Sequence, residues 1–458
     1  MANIIEKVPP QAVDVEMAIL GAMLIEKEAI LKVMGIINEN DFYKEIHKQI
    51  FSAINDLYIG NRPVDLLTVS EALKKNVMFS EIGGTHYLAE LIDSVHTAAN
   101  AEHYASIIRD KSVSRQLINV GSAMVSDAFS EQNHPDKTLD KFQAALFNIS
   151  QQKGRKGFSS VSKLVMPMLQ KLEKLHSNSK EISGLSTGFA DFDSQTTGFH
   201  PSELIIIAAR PSMGKTAFAL NIAEHVAVVK KNPVAIFSLE MKQEALMIRL
   251  LASLARVNVG RLRNGKYNSL DWPRLTSAAG KIAEAPIFID DDSDISVIEL
   301  RTKARKLATE LKAKGNPLAL IIIDYIQFIH GHGSGRKFES RQQEVSDISR
   351  SLKALAKDLD VPVVVLSQLS RRTEDRGRKD AKPQLSDLRD SGAIEQDADV
   401  VAMLYREGYY NKEDPDLQKK ATLIIGKQRN GPTGDVNLIF EGEYTKFSDG
   451  SKILDDYQ

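Results

Sequence analysis

The chain has 458 residues, 43% hydrophobic and 26% charged, with a formal net charge of −1; this is a globular composition too long for one ordinary core, so two or more domains are expected. It contains no cysteine, which excludes disulfides, cysteine zinc sites and thiol catalysis and points to a reducing, cytoplasmic setting. No signal-peptide pattern opens the chain and no apolar run approaches the ~20 residues a bilayer span needs, so no membrane role is expected, while near-neutral charge leaves room for DNA enclosed by a locally basic lining.

Residues 1–150 read as a helical assembly domain. Val15, Ile19 and Met23, then Ile30, Met34 and Ile37, recur at helical spacing. Thr68 and Glu71 fit a capping box before Ala72 and Leu73, and Gly83-Gly84 marks a turn. No catalytic constellation is evident; the ten histidines are scattered and read as satisfied surface or core residues. Residues 151–182 read as a linker containing a helix. SQQKGRKGFSS is polar and glycine-bearing, and SKLVMPMLQKLEKLH is amphipathic, with Pro167 implying a late helix start or a kink.

From residue 183 to 458 the texture changes. Short Ile- and Val-rich runs (LIIIAA, VAIFS, PIFID, LALIIID, VPVVVLS, DVVAMLY, ATLIIG, VNLIF) alternate with amphipathic helical patterns. Such strands imply a parallel sheet buried on both faces. Ser296 and Glu299 fit a capping box on one helix. Val345, Ile348, Leu352, Leu355 and Leu359 form the apolar stripe of another.

The first run enters a phosphate-binding loop. Ala209, Arg210, Pro211, Ser212, Met213, Gly214, Lys215 and Thr216 fit A-x-x-x-x-G-K-T, with alanine in the place of the usual first glycine, and Ala217 begins the Ala-rich helix that follows. Gly214 lets the backbone turn so that successive N–H groups face one concavity beside a helix N-terminus. Lys215 can reach the β- and γ-phosphates of ATP, and Thr216 can ligate Mg²⁺. Asp324, closing the run LALIIID, fits the carboxylate that helps hold the metal, partly through water; a buried-strand aspartate with a capping role is the other reading. Glu240 ends VAIFSLE and can orient water across from the γ-phosphate, or cap a helix. Gln368 ends VVVLSQ and can contact the γ-phosphate, or serve as an ordinary hydrogen-bonding amide.

Phosphate loops serve kinases, GTPases and motors alike. Two connections favour a nucleic-acid motor over a small-molecule kinase. HGHGSGRKFESRQQ is Gly-rich and basic, and the stretch from Arg371 to Lys382 holds six basic and three acidic residues. Both follow strands of the nucleotide sheet, where such loops lie beside the ligand; a solvated charged loop is the alternative. LIIGKQRNGPTGDVNLIF reads as a hairpin with Lys427 and Arg429 near its tip. Cations there can enter a neighbouring subunit's site as an arginine finger.

These segments, together with STGFADFD, DLRDSGAIEQDAD and KQRNGPTG, occur in the order found in bacterial DnaB-type replicative DNA helicases, and PPQAVDVEMAILGAML and PVDLLTVSEAL resemble that family's N-terminal domain. The resemblance covers nearly the whole chain. It implies an α/β RecA-like P-loop NTPase C-terminal domain and an all-α N-terminal domain, joined by a linker helix. It further implies a homohexameric ring that moves 5′ to 3′ on single-stranded DNA, with primase and a helicase loader or initiator as partners. In that family Glu240 would be the catalytic glutamate, Gln368 the γ-phosphate sensor, and Lys427 and Arg429 the trans-acting cations. Arg389, Asp390 and Gly392 match the single-strand contact loop. Thr197 and Ser202 stand where the family often has glycine, and Lys242 where it commonly has a small polar residue. A RecA-like recombinase and a non-catalytic ATP-fold scaffold are the competing readings.

Overall fold

The computed structural model describes residues 8–450 apart from 75, 96, 131–137, 140, 143–144, 147–148, 150–160, 178–181, 332–339, 370–381 and 412–413. The chain divides into two compact units, Met1–Leu164 and Val165–Gln458.

The first unit is helical: α1 (Val13–Ile25), α2 (Lys27–Met34), α3 (Glu45–Ile59), α4 (Leu66–Leu73), α5 (Val77–Glu81), α6 (Thr85–Asp93) and α7 (Ala101–Phe129). Its core gathers Ile19 and Met23 from α1, Ile50 and Ile54 from α3, Leu88 and Leu91 from α6, and Ile108 from α7. Buried Glu16 accepts a hydrogen bond from Tyr43 N at 2.7 Å and pairs with His47 Nδ1 at 2.7 Å, while His47 Nε2 meets Tyr87 Oη at 2.8 Å. The carboxylate is thereby satisfied rather than catalytic. The cap expected at Thr68 lies three residues earlier. Asp65 is the N-cap of α4; its carboxylate accepts from Leu67 N and Thr68 N at 2.9 and 2.8 Å, and Thr68 Oγ1 accepts from Asp65 N at 3.0 Å. Thr68 is therefore the third helical residue of the box. The Thr68 amide, foremost among these bonds, holds the Asp65 carboxyl below its usual range.

Gly21 marks where α1 meets α6: a β-carbon there would lie 2.0 Å from the carbonyl oxygen of Leu91. Overpacking against backbone has no cheap relief, and even ordinary core cases cost ~1–3 kcal/mol. Gly21→Ala should therefore lower the thermal midpoint of the helical unit, followed by circular dichroism and limited proteolysis. An unchanged midpoint would contradict this packing.

The boundary between the units falls inside α8 (Ser162–Ser177), in which Pro167 is an interior residue, so the late start expected from that proline does not occur. The second unit continues with α9 (Ala190–Thr196), α10 (Lys215–Glu224), α11 (Gln243–Ala255), α12 (Val259–Arg263), α13 (Asp271–Ala283), α14 (Val297–Ala313), α15 (Arg341–Leu359), α16 (Gly392–Asp397) and α17 (Pro415–Gln418). Its strands are β1 (Leu204–Ala209), β2 (Val234–Ser238), β3 (Ile287–Asp290), β4 (Leu320–Asp324), β5 (Val363–Gln368), β6 (Val400–Tyr405), β7 (Lys420–Gln428), β8 (Gly434–Glu441) and β9 (Lys446–Asp449). They form a nine-stranded sheet in the order β3-β2-β4-β5-β1-β6-β7-β8-β9.

The sheet is mixed rather than wholly parallel. β1 to β6 run parallel, whereas β6–β7, β7–β8 and β8–β9 pair antiparallel. The hairpin predicted from KQRNGPTG is β7–β8. β9 has no strong pattern of its own, because KFSD holds a single large apolar side chain.

Two-residue alternation distributes the parallel strands between two cores. Ile205 and Ile207 of β1, Leu320 and Ile322 of β4, and Val364 and Leu366 of β5 face the core that includes Phe218 of α10. Ile206, Ile321, Ile323, Val363 and Val365 face the core built on α14 and α15. The same count sends Asp324 and Gln368, at the strand ends, toward the α10 side. Ser296 caps α14 by accepting from Glu299 N at 3.2 Å, as the sequence suggests.

Thr197 and Ser202 adopt left-handed φ values of 58° and 67°, the conformation glycine supplies without strain. Thr197 Oγ1 meets His200 Nε2 at 2.8 Å, and Ser202 Oγ donates to Asp360 Oδ1 at 2.8 Å. Local hydrogen bonds thus help hold a turn that a side chain resists.

Candidate nucleotide site

The loop between β1 and α10 is anchored at both ends and exposed in the middle. Ala209 is buried at the end of β1, Arg210 is half-buried, Pro211 and Ser212 are exposed, and Met213 and Ala217 return to the core. Ser212 and Gly214 turn through left-handed φ values of 66° and 97°. Gly214 caps α10, and Phe218 N donates to its carbonyl at 2.9 Å in the first helical turn. Left-handed geometry followed by a helix start aims unpaired N–H groups into one concavity, an arrangement suited to phosphate oxygens.

Lys215 Nζ lies 3.7 Å from Asp324 Oδ1 and 4.3 Å from the centre of the Tyr325 ring. Burial lowers the Lys215 pKa below the ordinary lysine value, and Asp324 and Glu240 oppose that shift. Thr216 Oγ1 donates to Asp324 Oδ2 at 2.6 Å. Asp324 Oδ1 is buried and accepts no hydrogen bond among the described residues. A hydroxyl and a buried carboxylate with a free oxygen are the hard donors a Mg²⁺ ion accepts, so Thr216 and Asp324 fit the metal expected there.

Two strand ends border this pair. Leu239 N donates to Asp324 O at 2.7 Å, which places exposed Glu240 one residue beyond β4's aspartate. Glu240 is close enough to Tyr325 that, after burial, its charge is the next cause raising the tyrosine pKa. Gln368 is the sheet partner of Ala209, and Leu369 N donates to Ala209 O at 3.0 Å. Lys215, Thr216, Asp324, Glu240 and Gln368 therefore share one edge of the sheet.

Lys427 and Arg429 lie at the other edge. Gln428 pairs with Val400, the first residue of β6, whereas the phosphate loop follows the ends of β1 and β6. A six-residue strand separates those edges by roughly 20 Å. Lys427 Nζ donates to the Glu395 and Gln396 carbonyls, and Arg429 Nη2 to Gln396 O at 3.0 Å. Arg429 Nη1 also lies 3.6 Å from Asp399 Oδ1. Both cations thus sit at the C-terminal end of α16, which a helix dipole favours. Burial, then repulsion from Arg429, lowers the Lys427 pKa.

Arg389 and Asp390 have described backbone in the 3₁₀ turn Leu385–Ser391, and Gly392 opens α16. Their side chains lie outside the described residues, as do 332–339 and 370–381 of the two basic connections.

One site residue had no motif. Arg249 of α11 has its pKa lowered by burial first, while Asp324 and Glu240 raise it and Arg263 lowers it. Its signal is an arginine within the otherwise apolar run LMIRLLASLA.

Comparison with known proteins accords with this geometry. The family model for the DnaB-like helicase C-terminal domain matches residues 184–449, and that for the N-terminal domain matches residues 8–110. The replicative DNA helicase DnaB of Geobacillus stearothermophilus is 45% identical over 99% of this chain and 98% of its own length. The replicative DNA helicase DnaC of Bacillus subtilis is 42% identical over 98% of this chain and 97% of its own. A solved DnaB-like replicative helicase, described with its interactions with primase, superposes with a TM-score of 0.72 at 31% identity, covering 95% of this chain and 99% of that one. A solved stand-alone ATPase domain superposes with a TM-score of 0.58 at 36% identity, over 64% of this chain and 99% of that one. The helical first unit and the RecA-like second unit accordingly make this chain a member of the DnaB-like helicase family.

Proposed function

We propose that the chain is a replicative DNA helicase that hydrolyses ATP with Mg²⁺, as a cytoplasmic homohexameric ring. It moves 5′ to 3′ along single-stranded DNA and displaces the complementary strand. The observation that carries this reading is the division of the site between two edges of one sheet. Lys215, Thr216, Asp324, Glu240 and Gln368 stand at one edge, and Lys427 and Arg429 at the other. One chain cannot bring both sets to one triphosphate, but neighbours in a ring can.

Ala209 to Ala217 cradle the phosphates, with Lys215 on the β- and γ-oxygens. Thr216 and Asp324 hold Mg²⁺, which supplies charge neutralisation when bound. Glu240 orients the attacking water, Gln368 contacts the γ-phosphate, and the neighbour's Lys427 and Arg429 offset the charge that develops. Arg389, Asp390 and Gly392 grip DNA phosphates, a mode with little sequence preference. Primase docks on the helical domain (1–150), residues 151–182 link it to the motor (183–458), and a loader or initiator delivers the ring to DNA.

Forked duplexes carrying only a 5′ or only a 3′ single-stranded tail test the function. Unwinding of the 5′-tailed fork alone, without a homologous partner, is expected. Strand exchange without unwinding would instead favour a recombinase. Asn411 to Asp414 spell N-K-E-D, a guanine-recognition pattern in GTPases, so ATP and GTP belong side by side in that assay. Glu240→Gln should keep nucleotide binding and lose about 10²–10⁴-fold in kcat, the range of positioned acid–base groups. Unaltered turnover would leave Glu240 as a helix cap.

A further inference from the structure

The phosphate loop rests on more than its own strand. The antiparallel strands curl back over α10, so β9 reaches the loop although β6, β7 and β8 lie between it and β1 in the sheet order. The tip of Phe447 points at Gly214: a β-carbon on that glycine would lie 3.0 Å from Phe447 Cζ and 3.1 Å from Cε2. Phe447 also packs edge-on against Phe218, one turn into α10, with ring centres 5.5 Å apart.

A buried polar circuit joins the same strand to the same helix. Phe447 N donates to Asn221 Oδ1 at 2.7 Å, Asn221 Nδ2 to Ser253 Oγ at 3.2 Å, and Ser253 Oγ to Glu224 Oε2 at 2.6 Å. Lys446 Nζ completes it by donating to Glu224 Oε1 at 3.3 Å and Ser253 O at 3.4 Å. Asn221, Glu224 and Ser253 are all buried. Every donor in the circuit has a defined acceptor, which fixes one geometry where apolar packing alone permits sliding.

We propose that Phe447 of β9, seated against Gly214 and locked by the Asn221–Ser253–Glu224–Lys446 circuit, is a positioning residue for the phosphate loop. It holds Lys215 and Thr216 where the triphosphate requires them and touches no substrate itself. The inference rests on the ATPase reading above. Displacement of about 1 Å at a reacting group can cost 10²-fold in rate, so a prop under the loop governs turnover more than affinity.

Two variants of the full chain test it, with phosphate release measured against ATP concentration on single-stranded DNA. Phe447→Tyr adds a hydroxyl at the ring atom nearest Gly214 and deletes no core volume. Phe447→Leu shortens the prop. Both are expected to lower kcat at least about tenfold while changing KM for ATP less than about threefold, since a ~1 Å misplacement acts on the rate. Leu355→Ala, in the core on the opposite side of the sheet, supplies the comparison. Assayed below its own melting temperature, it should lower thermal stability and leave kcat near the unaltered chain's. If both Phe447 variants fold and keep full kcat, or if Leu355→Ala loses as much kcat at equal loss of stability, the positioning role is wrong. If the unaltered chain itself releases no phosphate, the ATPase reading fails instead.

Discussion

Lys215→Ala abolishes ATP hydrolysis and DNA unwinding together; this is the expected result with the widest reach. The ammonium is half-buried, 3.7 Å from Asp324 Oδ1 and over the Tyr325 ring. Its burial disfavours the charged form, with Asp324 and Glu240 opposing that tendency. A triphosphate brings further negative charge to the same place and needs that cation most as charge moves during cleavage. Removing one preorganised donor of this kind costs about 10²–10³ in rate, and the substitution also leaves the buried Asp324 oxygen without its nearest cation. Phosphate release and fork unwinding by the purified variant are the measurements. Unwinding that survives would mean the nucleotide fold is not the motor, as a non-catalytic scaffold requires.

The second large effect concerns the opposite edge. Arg429→Ala should bind nucleotide normally and lose about 10³- to 10⁵-fold in hydrolysis, the range for an arginine finger, or roughly 4–7 kcal/mol of transition-state stabilisation. In its own chain Arg429 lies against the Gln396 carbonyl and Asp399, so the same substitution has a local consequence that must be separated from action in a neighbour. Mixing does so. Arg429→Ala and Lys215→Ala chains assembled together form some interfaces with an intact loop on one side and an intact arginine on the other. Partial recovery of hydrolysis in mixed assemblies is expected; failure of rescue would count against action between copies.

Much of this site was legible because strands and loops have strong local rules. A buried run broken by Gly214, Lys215 and Thr216 admits few readings, and alternation along β4 and β5 puts Asp324 and Gln368 on the α10 side. Lys427 and Arg429 could be assigned to a hairpin but not to the far edge, because that requires the pairing of Gln428 with Val400. Long-range packing hid the rest. Arg249 enters the site through the placement of α11, with no motif of its own. β9 is four residues with one large apolar side chain, and its meeting with Gly214 depends on the curl of the antiparallel strands beside it. The α4 cap was misplaced for a local reason: Asp65 and Thr68 both fit a capping box, and the aspartate accepts from two of the amides that follow it.

The division of charged groups between opposite sheet edges sets a counting rule for assemblies. A row of n copies joined head to tail has n−1 complete junctions, whereas closure of the row adds the last one. Dilution that opens or breaks the assembly should therefore remove hydrolytic capacity in whole increments, and an isolated copy should hold nucleotide as a spectator.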